Sequence, residues 1–496
     1  MSNGEIANTD LRNPLRPSLT RIQPVQNERI LISFYGDDFT GTTATAEAFM
    51  QSGLPTVIFT EPPTPSYLEE HFPMVRAMGI SGIARTLPAN QLKQTLKPIF
   101  STLKSYQSLI YLYKVCSTFD SSEKVGSIGK AIELGIELFA PDFVPVFPAA
   151  PRLQRFTIFG NHFAALGDSN IFRIDRHPSM SNHPVTPMKE ADLRCHLAKQ
   201  TDMKSGLINI LDIEAGSEKI NAQIDALLAT GMEVIFFDCL SVNNLNTICE
   251  TVVSRIHRKK PGFFVGSQEM GYGLVNALIK KGLLSDRIFS EPDHEGVSDK
   301  GPILVLSGSC AIVTADQIKW AKTHGFIDLA VPIENLFDTA KKKKEMDKIV
   351  LVACNELAAG RSVIVHTAIG PQDERIEAMK KKAGQLSLSE LDASRILGAE
   401  LGDIAQKILR RSSLKRLVIA GGDTSGTIQK YLQIKALQVA KSIGLGAPLC
   451  YVFSQRAHIN GLEVAFKGGQ VGDRDYFIQA QHARTDEFEK VALGTF

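Results

Sequence analysis

The stretch Ile30-Leu31-Ile32-Ser33-Phe34-Tyr35-Gly36-Asp37-Asp38-Phe39-Thr40-Gly41-Thr42 decides the fold. An apolar run ends in two adjacent carboxylates, followed by Thr and Gly and then by a helix-like stretch. The run reads as a buried strand with its acids at the carboxyl end, where open α/β sheets hold their ligands. Asp and Thr are also ordinary helix N-caps, so position alone does not establish a function.

Outward from that stretch, short β-branched runs alternate with longer amphipathic ones, the pattern of parallel strands covered by helices on both faces. Strands are expected near 30–34, 56–60, 75–80, 109–115, 144–147, 206–211, 234–238 and 263–265, with helices at 44–51, 89–103, 124–138, 217–229, 245–258 and 271–281. Residues 290–302 are polar, carry Gly and Pro and lack apolar periodicity, which reads as a linker. Beyond it the alternation restarts, with strands at 303–306, 327–331, 363–366 and 417–420 and helices at 314–323, 336–359 and 391–409. The expected fold class is α/β: two doubly wound domains with mainly parallel sheets, at 29–289 and 302–496, and an interdomain cleft. Residues 1–28 read as a flexible polar leader without the apolar core of a signal peptide.

The 496 residues hold 55 Lys and Arg against 53 Asp and Glu, a net charge of +2, and 44% of them are apolar, enough for sizeable cores. The basic runs 341–344 and 380–382 sit in polar, helix-like stretches and read as solvated faces, so no nucleic-acid surface is expected. No apolar run approaches the roughly 18 residues that span a bilayer, so no membrane partner is expected. Seven dispersed cysteines without a Cys-x-x-Cys pair argue against a disulfide framework or a zinc site and fit a reducing cytoplasm. A homodimer is left open.

Three Gly/Ser/Thr clusters in the second half each follow an apolar strand: Ser307-Gly308-Ser309-Cys310, Gly421-Gly422-Asp423-Thr424-Ser425-Gly426 and Gly468-Gly469-Gln470-Val471-Gly472. Glycines let backbone amides approach an anion, hydroxyls add donors, and a following helix presents partly positive N–H groups. Together they suggest a nucleotide phosphate site, although neither a P-loop nor a Gly-x-Gly-x-x-Gly fingerprint is present. In the first half, Arg85 and Lys114 follow apolar runs, and Lys114-Val115-Cys116-Ser117 adds hydroxyl and thiol groups. A guanidinium forks onto a carboxylate and Asp accepts from sugar hydroxyls, so this set suits a small polyhydroxy acid. Cys116 reads as a structural thiol, since no His lies near it in sequence. Residues 176–188 and 148–162 read as loops, the first covering a cleft.

These motifs, in this order, resemble the four-carbon acid sugar kinase family. Gly36-Asp37-Asp38-Phe39-Thr40-Gly41 is similar to its Asp-Asp-[Leu/Phe]-Thr-Gly opening, and Lys114 to Asp120 to its Lys-x-x-Ser-Thr segment. Ser307-Gly308-Ser309-Cys310 with Thr314 and Gln317, the cluster at Gly421 to Gly426, and Lys467 to Gly472 complete the set. The sequence departs from the family pattern at Ala311, at Asp423 and at Gly469-Gln470-Val471. The resemblance implies an N-terminal acid-sugar-binding domain and a C-terminal nucleotide-binding domain that phosphorylate a small sugar acid with ATP and Mg²⁺. Carried over, the acid-sugar contacts are Asp37, Asp38, Arg85, Lys114, Val115, Cys116 and Ser117. The ATP contacts are Ser307, Ser309, Gly422, Asp423, Thr424, Ser425, Gly468 and Gly469. One of Asp37 and Asp38 is then the general base, and threonate, erythronate, oxo-tetronates and the branched 3-oxo-isoapionate are the substrates in view. The competing class is a non-catalytic two-domain protein that binds or senses a sugar acid.

Overall fold

The structure, a computed structural model, describes residues 30–166, 170–183, 185–257, 259–285 and 301–483. The expected leader and nearly all of the expected linker lie outside the described residues. The expected strands are present with ends shifted by a residue or two, except that 206–211 divides into the strand Ser205–Ile208 and the short helix Ile210–Glu214. There the Asn209 side chain accepts from the Leu211 and Asp212 N–H groups and starts a helix where the apolar run suggested more strand.

In the first half eight parallel strands run in the spatial order Thr56–Phe59, Ala77–Ser81, Ile32–Gly36, Ile110–Lys114, Gly262–Gly266, Val144–Phe147, Val234–Phe237, Ser205–Ile208. The central ones are buried along their whole length, which is why they read as unbroken apolar runs. From Ile32–Gly36 the chain winds to one side and at Ile110–Lys114 crosses to the other, so a switch-point crevice opens between these two strands. The second half repeats this winding. Its parallel strands run Ile327–Ala330, Val363–His366, Leu304–Ser307, Arg416–Ala420, Glu463–Lys467, with the switch between Leu304–Ser307 and Arg416–Ala420.

Two further strands, Ile434–Gly444 and Ala447–Ser454, form an antiparallel hairpin between the halves. Ala447–Ser454 pairs antiparallel with Glu463–Lys467, and Ile434–Gly444 pairs antiparallel with Thr56–Phe59. The two expected sheets are therefore one continuous sheet of 15 strands among the described residues. A separate three-stranded antiparallel sheet, Arg155–Ile158, Asn161–Leu166 and Asn170–Arg173, occupies part of the segment expected as a loop at 148–162. Positive φ at Phe159 and Gly160 closes its first hairpin. No helix of the described residues is long and apolar enough to cross a membrane.

The helix Phe39–Gln51 begins five residues before the expected 44–51 because Asp38 caps it, accepting from the Gly41 N–H at 3.2 Å. Nearly all of its residues are buried, as in a helix enclosed on every side. It belongs to the first half by sequence yet packs on the helix Gly422–Tyr431 and on the antiparallel hairpin. Phe39 meets Phe466 edge to face with centroids 4.7 Å apart, and buried Glu47 accepts from Ser442 Oγ and, at 2.7 Å, from the Gly446 N–H.

Candidate active site

The first crevice is a closed ion cluster built from three strand ends. Gly36 and Lys114 are directly paired across Ile32–Gly36 and Ile110–Lys114, and Asp37 extends the ladder by donating its N–H to Lys114 O at 3.0 Å. Arg85 lies in a one-turn helix after Ala77–Ser81, its N–H tied to Asp37 O at 3.1 Å. Its guanidinium forks onto Asp37, Nε to Oδ2 at 3.1 Å and Nη2 to Oδ1 at 2.8 Å, and Nη2 also reaches Asp38 Oδ1 at 2.9 Å. Lys114 Nζ donates to Asp38 Oδ1 at 2.8 Å. The Thr40 hydroxyl donates to Asp38 Oδ2 at 2.8 Å. Asp38 is thus both the helix cap and a member of the charged set, so the two readings of the sequence do not compete.

Gly41 is what lets the cluster close. A Cβ there would lie 1.5 Å from Lys114 Nζ and 2.3 Å from Asp38 Oδ1, a space only a glycine leaves free. Against the burial that opposes ionisation, Arg85 and Lys114 hold the Asp38 carboxyl far below the usual carboxylate range. For Asp37 burial wins and pushes its carboxyl up despite the same two cations. Asp38 is also the more open of the two, with 18% of its side chain exposed against 4% for Asp37.

Lys114, Val115, Cys116 and Ser117 turn away from the strand end held by neighbours on both sides. Val115 N–H donates to Gly266 O at 2.9 Å, and His162 Nε2 donates to Ser117 O at 2.7 Å. Burial pushes the Cys116 thiol up, which disfavours the thiolate. Beyond the turn, Asp120 accepts from Thr118 Oγ1 at 2.5 Å and from Thr186 Oγ1 at 3.4 Å, so the 176–188 loop lies against the turn.

The second crevice holds the three glycine-bearing loops side by side, because Leu304–Ser307, Arg416–Ala420 and Glu463–Lys467 are neighbours. The loops touch. A Cβ on Gly308 would lie 2.1 Å from Thr424 Oγ1, and one on Gly469 2.6 Å from Ser309 Oγ. Thr314 Oγ1 donates to Gly469 O at 2.7 Å, and Gln317 Nε2 donates to the carbonyls of Val471, Gly472 and Asp473. Gly422 and Thr424 lie in the first turn of Gly422–Tyr431, whose first N–H groups have no helical acceptor. Ser425 donates back to Gly421 O at 2.7 Å and shapes the turn, while the Ser307 hydroxyl is buried without a hydrogen-bond partner among the described residues. The Asp423 side chain lies outside the described residues.

Two residues not assigned as contacts complete the geometry. Lys467 is fully buried beneath Gly468, donating to Thr314 Oγ1 at 3.0 Å and Gly468 O at 2.9 Å, and burial pulls its pKa down to about 7. Thr40 stands where the crevices meet, since a Cβ on Gly422 would lie 3.8 Å from its Oγ1. Lys467 was readable as a strand-end cation like Lys114; the approach of Thr40 to Gly422 had no local signal, because it depends on how the halves pack.

Residues 32–274 match the family model of a sugar-binding N-terminal domain, and residues 304–477 that of a nucleotide-binding C-terminal domain. The chain is 38% identical over 455 residues to the 3-oxo-isoapionate kinase of Paraburkholderia graminis, covering 92% of this chain and 95% of that one. It is 28% identical to the 3-oxo-tetronate kinase of Pseudomonas savastanoi pv. phaseolicola over 92% and 98% of the two chains. Among solved structures, one from Salmonella typhimurium LT2 shares the fold with a TM-score of 0.74 at 23% identity, over 91% and 98% of the two chains. Haemophilus influenzae protein HI1011 does so with a TM-score of 0.66 at 24% identity, over 90% and 99%.

Proposed function

The chain belongs to the two-domain four-carbon acid sugar kinase family, and from that premise we propose that it phosphorylates a 3-oxo sugar acid, with the branched isoapionate frame first in line. It is a sugar-acid kinase, as its relatives are over nearly their whole length, and its nucleotide-binding domain implies ATP as the phosphoryl donor. The substrate choice rests on the contrast between 38% identity to the isoapionate kinase and 28% to the tetronate kinase. The sensing alternative is not favoured, because these relatives are kinases.

The observation that carries the mechanism is the Phe39–Gln51 helix, whose N-terminus brings Asp38 and Thr40 beside Gly422. Phosphoryl transfer passes through a loose transition state, so alignment and charge matter more than the strength of a base. Asp38 orients the attacking hydroxyl and takes its proton as the new P–O bond forms; Asp37 fixes Arg85. Arg85, Lys114 and the Val115-Cys116-Ser117 turn line the acid-sugar pocket. The loops at Ser307 and Ser309, at Gly422 to Ser425 and at Gly468-Gly469 cradle the ATP phosphates. Among the described residues no group of three or more His, Cys, Asp or Glu is arranged to hold a metal. Mg²⁺, which kinases hold mainly through phosphate and water oxygens, would enter this site together with ATP. When bound, the ion would neutralise phosphate charge.

A coupled ADP-release assay over threonate, erythronate, 3-oxo-tetronates and 3-oxo-isoapionate tests this reading. The 3-oxo-isoapionate is expected to give the highest kcat/KM; the reading fails if no acid raises turnover above background ATP hydrolysis. Calorimetric titration with ATP and Mg²⁺ is expected to show binding to the wild type and loss of it in Gly422→Asp.

A further inference from the structure

The two cations assigned to the acid-sugar pocket are already matched by the two aspartates. Arg85 forks onto Asp37 and touches Asp38, and Lys114 is bonded to Asp38, so both cations already have carboxyl partners within the cluster. A substrate carboxylate entering this crevice needs a cation whose charge is not already offset.

Arg155 answers that description. It opens the strand Arg155–Ile158 of the small antiparallel sheet, where Arg155 faces Ala164 and Thr157 faces His162. Directly opposed residues and residues two apart share a face, so Arg155, Thr157, His162 and Ala164 lie on one face. That face is fastened to the sugar-pocket turn. His162 Nε2 donates to Ser117 O at 2.7 Å, and Thr157 Oγ1 donates to His162 Nδ1 at 3.0 Å. Burial pulls the pKa of His162 down to about 4, so the ring stays neutral and holds that tautomer.

The Arg155 guanidinium lies within electrostatic reach of Cys116 and Asp120. Its Nη1 donates to Leu153 O at 2.9 Å, while among the described residues its buried Nε has no hydrogen-bond partner and its guanidinium no ion pair. A buried donor of a charged group left without an acceptor is costly, and a bound carboxylate would relieve it. Asp120, the nearby acid, is engaged by the Thr118 and Thr186 hydroxyls.

We infer that Arg155 recognises the carboxylate of the sugar acid, across the Lys114–Ser117 turn from the reacting hydroxyl, and so decides acid against neutral sugar. This rests on the sugar-acid kinase reading. The test compares a 3-oxo sugar acid with its primary amide as substrates of the wild type, Arg155→Gln and Arg155→Lys. The wild type is expected to prefer the acid. In Arg155→Gln the KM for the acid rises roughly 10- to 100-fold, the scale of a lost charge-assisted hydrogen bond, while the KM for ATP holds and the preference over the amide disappears. Arg155→Lys keeps part of that preference. If the wild type turns over no acid, the kinase reading itself falls. If it does, and Arg155→Gln keeps the wild-type preference, the Arg155 assignment is overturned and the kinase stands. Should a melting curve show Arg155→Gln unfolded, Arg155→Lys decides: an unchanged KM for the acid with a lowered kcat overturns the assignment.

Discussion

The two switch-point crevices are wound alike and furnished differently. Each sits beside the first strand of its half, where the fourth strand crosses to the other side. At Asp37, Asp38, Arg85 and Lys114 the first is built from acidic and basic side chains that pair with one another. At Ser307, Gly422 and Gly468 the second is built from backbone, hydroxyls and empty space, with one buried ammonium beneath it. Winding selects the place; residue type selects the ligand. In the proposed reading the first would offer a polyhydroxy acid directional acceptors, and the second would offer a polyphosphate N–H groups with room to approach.

The comparison breaks first if the charged crevice tolerates loss of charge. Asp38→Asn is expected to lower kcat roughly 10²- to 10⁴-fold with the KM for ATP little changed. Gly41→Ala is expected to match it, because its methyl displaces Lys114 Nζ. Asp37→Ala should act on stability as well, costing about 3–5 kcal/mol in a denaturant titration, since Arg85 loses its fork partner. In the neutral crevice the insult is steric. Gly308→Ala drives a Cβ into Thr424, and a misplacement of that size costs about 10²-fold. The loss should appear in the KM for ATP with the KM for the acid unchanged.

Much of this was legible in the chain. Strand-end positions marked Asp37, Asp38, Lys114 and the three glycine loops, because buried parallel strands announce themselves as apolar runs. The pairing of Arg85 with Asp37 was not, since 48 residues separate them and only the strand order brings them together. The hairpin Ile434–Gly444 and Ala447–Ser454 also went unread. Its polar residues alternate with apolar ones because one face meets the Phe39–Gln51 helix, and the Gly444-Leu445-Gly446 turn was the signal available. The short strands at Arg155 and Asn161 passed as loop, since they are only four and six residues long and Arg155, Thr157, Asn161 and His162 interrupt their apolar runs.

Subtler effects sharpen the contrast through pH. Asp38 is held far below the usual carboxylate range, so kcat should stay level down to about pH 5. An acid limb above the ordinary carboxylate value would name the raised Asp37 as the base instead. On the other side, Lys467 loses its proton near pH 7 in the free enzyme, so kcat/KM for ATP should decline above that point and Lys467→Met should flatten the profile. The same lysine also acts on stability. Between about 7 and 10.5 the unfolded chain keeps a lysine proton that the native state has released. Stability therefore rises with pH across that window, and melting temperatures of Lys467→Met against the wild type should lose that slope.

The Phe39–Gln51 helix also settles where this chain can be cut. Its sequence lies in the first half, but Phe39 seats on Phe466 and Glu47 satisfies Ser442 and Gly446 of the second. A fragment beginning near residue 301 would leave those partners bare, and one ending near 285 would expose the face of the helix that the second half covers. Neither fragment is expected to be soluble alone, whereas the two co-expressed should reassemble, which makes the junction a natural place for a split reporter.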